Sequence, residues 1–384
     1  MQFQKPARPT LFFDREQETE QLFNYFNRDK NVLMLAPRRV GKTELMHRIA
    51  SLAEEHGFRA IVFDMEGYRE EKDFFQELCS AIQEELGIGA SLMATATDRL
   101  RKLISGSSQS DDWRQILLKS DWREFAGHLL AVLEAEENGR QWIIMVDELP
   151  IFINELLKVG DRERASTFLY WLRNARQKYR KLRWLYTGSI GLDVVSRRED
   201  MEGALLDLEI FSLKPFQRET AAEYLELLAT DAGCKFAEGA IECLLDGLGW
   251  LSPYYLEKLA DQSFVRKQQG KVDISIAEQA LEAMLALESR PYWAAWREHL
   301  TKNFIDPERT KLFQVLDLIA SSGPESVSRG SLLARLGDAP ADLARWLDTL
   351  EADGYLSADA ERQKFWFRME LLRRWWLRYV VGQR

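Results

Sequence analysis

One stretch of this 384-residue chain has the spacing of a phosphate cradle. Ala36, Pro37, Arg38, Arg39, Val40, Gly41, Lys42 and Thr43 follow the pattern GxxxxGK[ST], with Ala36 in place of the first glycine. A loop of this length between a strand and a helix turns its backbone N–H groups toward an anion, and the helix N-terminus adds its positive end. Gly41 lets the backbone come close. The Lys42 ammonium reaches the outer phosphates, and the Thr43 hydroxyl is placed as a Mg²⁺ ligand. Glu44 opens the helix beside them. A small residue still fits at position 36. Arg38 and Arg39 stay open between phosphate, a partner and solvent. The cofactors implied are a nucleoside triphosphate and Mg²⁺.

Asp147 and Glu148 close the apolar run 142–147. An Asp-Glu pair is usually a solvated turn. Downstream of a phosphate loop it gains a second meaning: Asp147 holds Mg²⁺ through water, and Glu148 polarises the attacking water as a general base. Both would lie at the carboxyl end of a parallel strand, where such folds bind ligands. Ser189, after the apolar run 183–188, is a polar side chain able to reach the γ-phosphate or the water. Arg197 and Arg198 follow within one or two helical turns. They are candidates for an arginine finger acting on a neighbour's phosphate, or simply a solvated basic helix end.

The elements that position these residues are legible in the pattern. Apolar runs at 32–36, 59–64, 142–147, 183–188 and 210–213 read as buried strands, and residues 16–27, 42–56, 74–86, 121–137 and 162–179 have helical spacing. Alternating strands and helices build a parallel sheet covered on both faces. Residues 87–120, with their Gly, Ser and Thr clusters, read as an irregular insertion. Helices alone are expected from 214 to about 305, with breaks at Gly233, Gly247–Gly249 and Pro291. Residues 306–384 predict a winged helix: helices at 310–321, 328–336 and 341–353, then wing strands at 355–357 and 364–368. The expected domains are therefore 1–213, 214–305 and 306–384.

Composition narrows the class. The chain is 46% hydrophobic and 29% charged, with a net charge of −9 and 12 tryptophans, which fits a folded soluble protein rather than a disordered or nucleic-acid-coating one. Cys79, Cys234 and Cys243 form no CxxC pair, so neither a zinc site nor a disulfide framework is expected, and three buried thiols fit a reducing cytosol. The opening Met-Gln-Phe-Gln-Lys-Pro has no apolar run of signal length, and no run of about 18 apolar residues occurs. A cytoplasmic location without membrane contact is the expectation. The third helix of the winged module carries Asp342, Asp348, Glu351 and Asp353 against Arg345 alone, whereas a helix entering the DNA major groove should be basic. The tail 373–378, Arg-Arg-Trp-Trp-Leu-Arg, is expected to pack its tryptophans and leave its arginines in solvent.

The combination of segments resembles the archaeal-type STAND ATPases, a branch related to AAA+ and to replication-initiator ATPases. The carrying segments are Arg38-Arg39-Val40-Gly41-Lys42-Thr43, Val146-Asp147-Glu148, Thr187-Gly188-Ser189-Ile190-Gly191, Leu213-Lys214-Pro215-Phe216 and Gly249-Trp250-Leu251-Ser252-Pro253. The resemblance covers about residues 10–300. It implies an α/β P-loop NTPase fold (AAA+-like, ASCE), followed by a helical lid and a winged-helix domain, with ATP rather than another nucleotide between core and lid. It makes Ser189 the sensor-1 position. It makes Pro253 the proline of a GxP-like motif near the base, standing where relatives elsewhere use a sensor arginine. The segment Phe13-Asp14-Arg15-Glu16 matches a family F-G-R-E opening that borders the base, with Asp14 replacing the glycine.

Three functions are consistent with these residues. The first is an ATP-hydrolysing switch that controls its own oligomerisation or a protein partner. The second is a DNA-binding initiator-like ATPase, against which the acidic helix argues. The third is a nucleotide-binding scaffold without turnover, against which the intact Asp147-Glu148 pair argues.

Overall fold

The computed structural model describes residues 13–86, 91–104, 108, 111–135, 140–159, 162–188 and 192–383. The chain divides into two compact units. One comprises residues 1–36 and 42–213; the other comprises residues 37–41 and 214–384.

The first unit is an α/β layer structure. Its elements are α1 (Glu16–Asn27), β1 (Asn31–Leu35), α2 (Lys42–Leu52), β2 (Phe58–Asp64), α3 (Glu71–Leu86), α4 (Ser91–Leu103), α5 (Trp113–Lys119), α6 (Trp122–Glu134), β3 (Gln141–Asp147), α7 (Leu149–Val159), α8 (Arg162–Lys178), β4 (Leu182–Thr187), α9 (Leu192–Arg198) and β5 (Leu208–Ser212). The five strands form one sheet in the order β2-β3-β4-β1-β5, all parallel. Residues 142–146 of β3 and Trp184 and Leu185 of β4 have no exposed surface, as expected of central strands covered on both faces. Phe74, Phe152 and Phe168 from three helices meet one another in that core, and Phe74 stacks on Trp184 of β4.

β1 lies between β4 and β5, so the chain leaving β1 passes over β4 and β3 to reach β2, and returns past β1 to reach β5. The carboxyl end of β1 is thus a topological switch point, where open α/β sheets bind their ligands. Two side chains fix β1 against β4: Asn31 Oδ1 accepts from Trp184 N at 2.8 Å, and Thr187 Oγ1 donates to Met34 O at 3.2 Å.

The insertion departs from expectation. Its described residues carry α4 and α5, with Leu100, Ile104, Trp113, Ile116 and Leu117 buried. Asp112 closes a capping box with Gln115 at the start of α5. Apolar residues three and four apart outweigh the Gly, Ser and Thr content there. The Ser105–Ser107 cluster lies outside the described residues.

In the second unit α10 (Arg218–Asp231), α11 (Ala240–Leu248), α12 (Pro253–Arg266), α13 (Ile274–Met284) and α14 (Arg290–Asn303) are not quite alone: β6 (Lys235–Phe236) and β7 (Lys271–Val272) pair in parallel, which corrects the all-helix reading. Then come α15 (Glu308–Ser321), β8 (Val327–Ser328), α16 (Arg329–Leu336), α17 (Pro340–Ala352), β9 (Leu356–Ala358), β10 (Lys364–Phe367) and α18 (Glu370–Tyr379). The strands form an antiparallel sheet in the order β8-β10-β9, one strand more than expected. Trp375 and Trp376 of α18 are buried. Its arginines are not all solvated, however. Arg373 is buried, donating to Ala320 O at 3.0 Å and to the Glu370 carboxylate at 2.6 and 2.8 Å. Cys79 and Cys234 are buried, but Cys243 is partly exposed. Among the described residues no helix is long and apolar enough to cross a membrane.

Candidate functional site

The loop after β1 contains two left-handed residues, Arg39 at φ 66° and Gly41 at φ 92°. Gly41 reaches this conformation freely, whereas a residue with a Cβ there is disfavoured by about 1–3 kcal/mol. Left-handed residues set into a turn bring successive backbone N–H groups to one side and make an anion-binding concavity. Lys42 and Thr43 open α2. Lys42 is buried and its Nζ donates to Ala36 O at 3.2 Å, tying the end of the loop to its start. Glu44, in the same first turn, is exposed.

Thr43 Oγ1 donates to Asp147 Oδ2 at 2.8 Å, and Asp147 Oδ1 accepts from Glu148 N at 2.9 Å. The loop helix and the end of β3 therefore converge. A hydroxyl beside a carboxylate is the donor set that suits Mg²⁺ when phosphates and water supply most of its shell. Among the described residues no group of three or more His, Cys, Asp or Glu would hold a metal unaided. The residues present thus fit a phosphate-borne Mg²⁺ and not a self-sufficient metal centre.

Glu148 is itself left-handed, at φ 53°, and its carbonyl accepts from Ile151 N and Phe152 N at 3.1 and 3.2 Å as α7 begins. A Cβ at Gly188 would stand 2.5 Å from Pro150 Cδ and 3.3 Å from Glu148 Oε2. The missing side chain at 188 leaves room for the start of α7 and the Glu148 carboxylate beside the end of β4. Strained residues of this kind collect at functional sites.

One carboxylate was missed in the sequence. Asp64 ends β2 and is in register with Asp147. Burial pushes its carboxyl up to about 7, opposed by the Glu66 N–H that donates to Oδ1 at 2.7 Å and reinforced by the charges of Asp147, Glu148 and Glu66. Its signal was present: like Asp147, it is an acid closing an apolar strand. A raised folded pKa means the unfolded chain binds fewer protons between the ordinary carboxylate range and neutrality, so stability falls as pH rises through that window. Asp64→Asn removes the titration. In metal-free protein the melting temperature of the variant minus that of wild type is expected to grow by about 2–4 °C between pH 4 and pH 7.5. A difference that is flat in pH would rule out a destabilised carboxyl.

Other expected residues are less closely drawn in. Ser189 lies outside the described residues, though Thr187 before it ends β4. Arg197 is exposed and faces its own neighbours, Glu202 at 3.4 Å and Asp193 at 3.9 Å; the side chain of Arg198 is outside the described set. Pro253 is the first residue of α12. Asp14 sits at φ 51° and Arg15 at φ 125°, so Asp14 occupies a left-handed position that a glycine would take freely and that aspartate tolerates better than most. Arg38 and Arg39 are half-buried and bonded to neighbouring groups. Arg38 Nη1 donates to Ala295 O at 3.0 Å, and Arg39 Nη1 donates to Tyr255 Oη at 3.1 Å and to Tyr292 O.

No family model matches the chain, and no curated protein does. Solved structures do. The Walker-type ATPase PABY2304 of Pyrococcus abyssi is 20% identical, covers 97% of this chain and 98% of its own, and superposes with a TM-score of 0.66. The Aeropyrum pernix ORC2 protein, solved as ADPNP–ADP complexes, is 13% identical over 99% and 98% of the two chains, with a TM-score of 0.55. At these identities the likeness is one of fold. The fold is shared with these two proteins over nearly the whole chain.

Proposed function

We propose that this chain binds Mg²⁺-ATP and hydrolyses it as a switch that controls its own assembly or a protein partner. The observation that carries this reading is the 2.8 Å bond between Thr43 and Asp147, 104 residues apart, beside a loop with left-handed Arg39 and Gly41. Lys42 exchanges its bond to Ala36 O for the β- and γ-phosphate oxygens. Thr43 and Asp147 hold Mg²⁺, which when bound neutralises charge developing on those oxygens. Glu148 orients a water and takes its proton as the water oxygen bonds to the γ-phosphorus. The bond from that phosphorus to the β–γ bridging oxygen breaks, giving ADP and phosphate. Ser189 completes the site as a γ-phosphate sensor, and Pro253 borders the base.

Within this reading residues 1–213 are the ATPase core, 214–305 a lid and 306–384 a winged-helix-like module. The charges favour a protein partner over DNA. α17 presents Asp342 and Asp348, and its Arg345 pairs with Asp342 at 3.6 Å. Arg362, in the β9–β10 turn, pairs with Asp348 and, at 2.8 Å, with Glu351. Cations already paired with carboxylates release few counterions from a phosphate backbone. The test is hydrolysis at physiological salt with and without duplex DNA, together with sedimentation in ATPγS and in ADP. Turnover indifferent to DNA, with a mass that differs between the two nucleotides, is expected. Turnover stimulated several-fold by DNA would replace this reading with the initiator-like one.

A further inference from the structure

Arg38 and Arg39 lie inside the phosphate loop, yet their side-chain donors go to helices of the second unit, with which residues 37–41 cluster. Arg39 is held at four points. Its Nη1 donates to Tyr255 Oη and to Tyr292 O, its guanidinium lies 4.2 Å above the Tyr254 ring, and its carbonyl accepts from the Ser252 hydroxyl. The Tyr255 hydroxyl is saturated. It accepts from Arg39 Nη1 at 3.1 Å and from Trp296 Nε1 at 2.6 Å, and donates to Tyr292 O at 3.2 Å, which fills its one donor and two acceptor positions. Tyr255 is fully buried, so each of these bonds is sheltered from water.

The contacts converge on α14. It supplies Tyr292 O to Arg39, Ala295 O to Arg38 and Trp296 to Tyr255, and Trp296 O in turn accepts from the Tyr355 hydroxyl just before β9. Pro37 rests on Gly354, where a Cβ would stand 2.7 Å from Pro37 Cβ. A cation on the loop thus meets acceptors on the helices.

We propose that Arg39 is a positioning residue: by anchoring the loop to α12 and α14 it holds the anion-binding conformation and transmits nucleotide occupancy to α14. The proposal rests on the reading of this loop as an ATP site. The physical logic is that a left-handed residue with a Cβ is disfavoured in isolation, and an anchored side chain keeps it there before any ligand arrives. Such preorganisation strengthens binding without a direct contact.

The test compares wild type, Arg39→Gly, Arg39→Lys, Tyr255→Phe and the Arg39→Gly/Tyr255→Phe double variant. Two quantities are read: affinity for a fluorescent ATP analogue with Mg²⁺, and hydrogen exchange of residues 290–303 with and without ATPγS. Glycine adopts φ 66° without strain, so Arg39→Gly isolates the anchor; its affinity is expected to fall about tenfold. Lysine cannot lay a guanidinium over the Tyr254 ring while donating beyond it to Tyr255 and Tyr292, and is expected to follow glycine. Tyr255→Phe, which bears no group for phosphate, is expected to lose affinity several-fold, and the double variant to be no worse than the weaker single. ATPγS should slow exchange in 290–303 in wild type and not in Arg39→Gly. A lysine variant like wild type with a silent Tyr255→Phe would make Arg39 a phosphate ligand and overturn the proposal, as would protection of 290–303 that survives Arg39→Gly. Wild type that binds no ATP analogue would instead refute the nucleotide reading. The anchor would still be judged by nucleotide-free exchange in 290–303, which must quicken in Arg39→Gly; unchanged exchange there refutes the anchor itself. Should Arg39→Gly fail to fold, Tyr255→Phe decides.

Discussion

Lys42→Ala is expected to weaken ATP binding by about 100-fold or more and to abolish turnover. An ammonium shared between two phosphate groups makes charge-assisted bonds worth about 1.5–3 kcal/mol each, and about 1.4 kcal/mol is a factor of ten. The site magnifies the effect because Lys42 is buried and points back across the loop to Ala36 O, so solvent ions screen it poorly. Deleting it leaves the Ala36 carbonyl without that donor, but Ala36 is half-exposed and water can replace the bond. The sheet and the Thr43–Asp147 contact do not pass through this side chain, so the α/β unit should keep its circular dichroism and melting behaviour. Titration calorimetry with ATP and Mg²⁺ checks the claim. Affinity within a factor of about three of wild type would mean that phosphates do not occupy this loop.

What the sequence disclosed and what it hid follow from the range of the interactions. Strands β1 to β4 are placed to within a residue because a strand of a parallel sheet covered on both faces must be largely apolar along its length, whatever packs on it. Lys42, Thr43 and Asp147 were legible for a similar reason: their chemistry is bound to a fixed local spacing or to a strand end. α7 was not foreseen, since Asp-Glu followed by Pro150 looks like a turn; yet proline is favoured in a first helical turn, where its missing N–H has no partner to lose. Asp64 was passed over because its meaning depends on register with Asp147, and register is not written in either strand alone. The anchor of Arg39 is the extreme case. Its acceptor is a backbone carbonyl 253 residues away, and a carbonyl has no side-chain signature. Tyr255 and Trp296 carry no local pattern that sets them apart from core aromatics, and their polar atoms gain a role only where the loop is folded beside them.

Glu148→Gln separates binding from chemistry. Loss of a general base is expected to lower turnover by about 10²–10⁴-fold while leaving ATP affinity near wild type, so the variant should hold ATP unhydrolysed. The geometry favours a clean result. The bond that orders the end of β3 runs from the Glu148 backbone N–H to Asp147 Oδ1 and is untouched by the change. The left-handed φ of 53° is equally strained for glutamine, and the side-chain length is preserved beside Gly188. Single-turnover hydrolysis with ATP in hand, run beside an equilibrium binding measurement, separates three outcomes. Binding with a collapsed rate makes Glu148 the base. Equal and very slow rates in both proteins point to a nucleotide-binding scaffold in which the acid pair only holds metal. A rate that survives the change directs attention to Asp64, the next carboxyl in register, whose pKa of about 7 suits it to accept a proton near neutral pH. In that case adding Asp64→Asn to Glu148→Gln should remove the remaining rate.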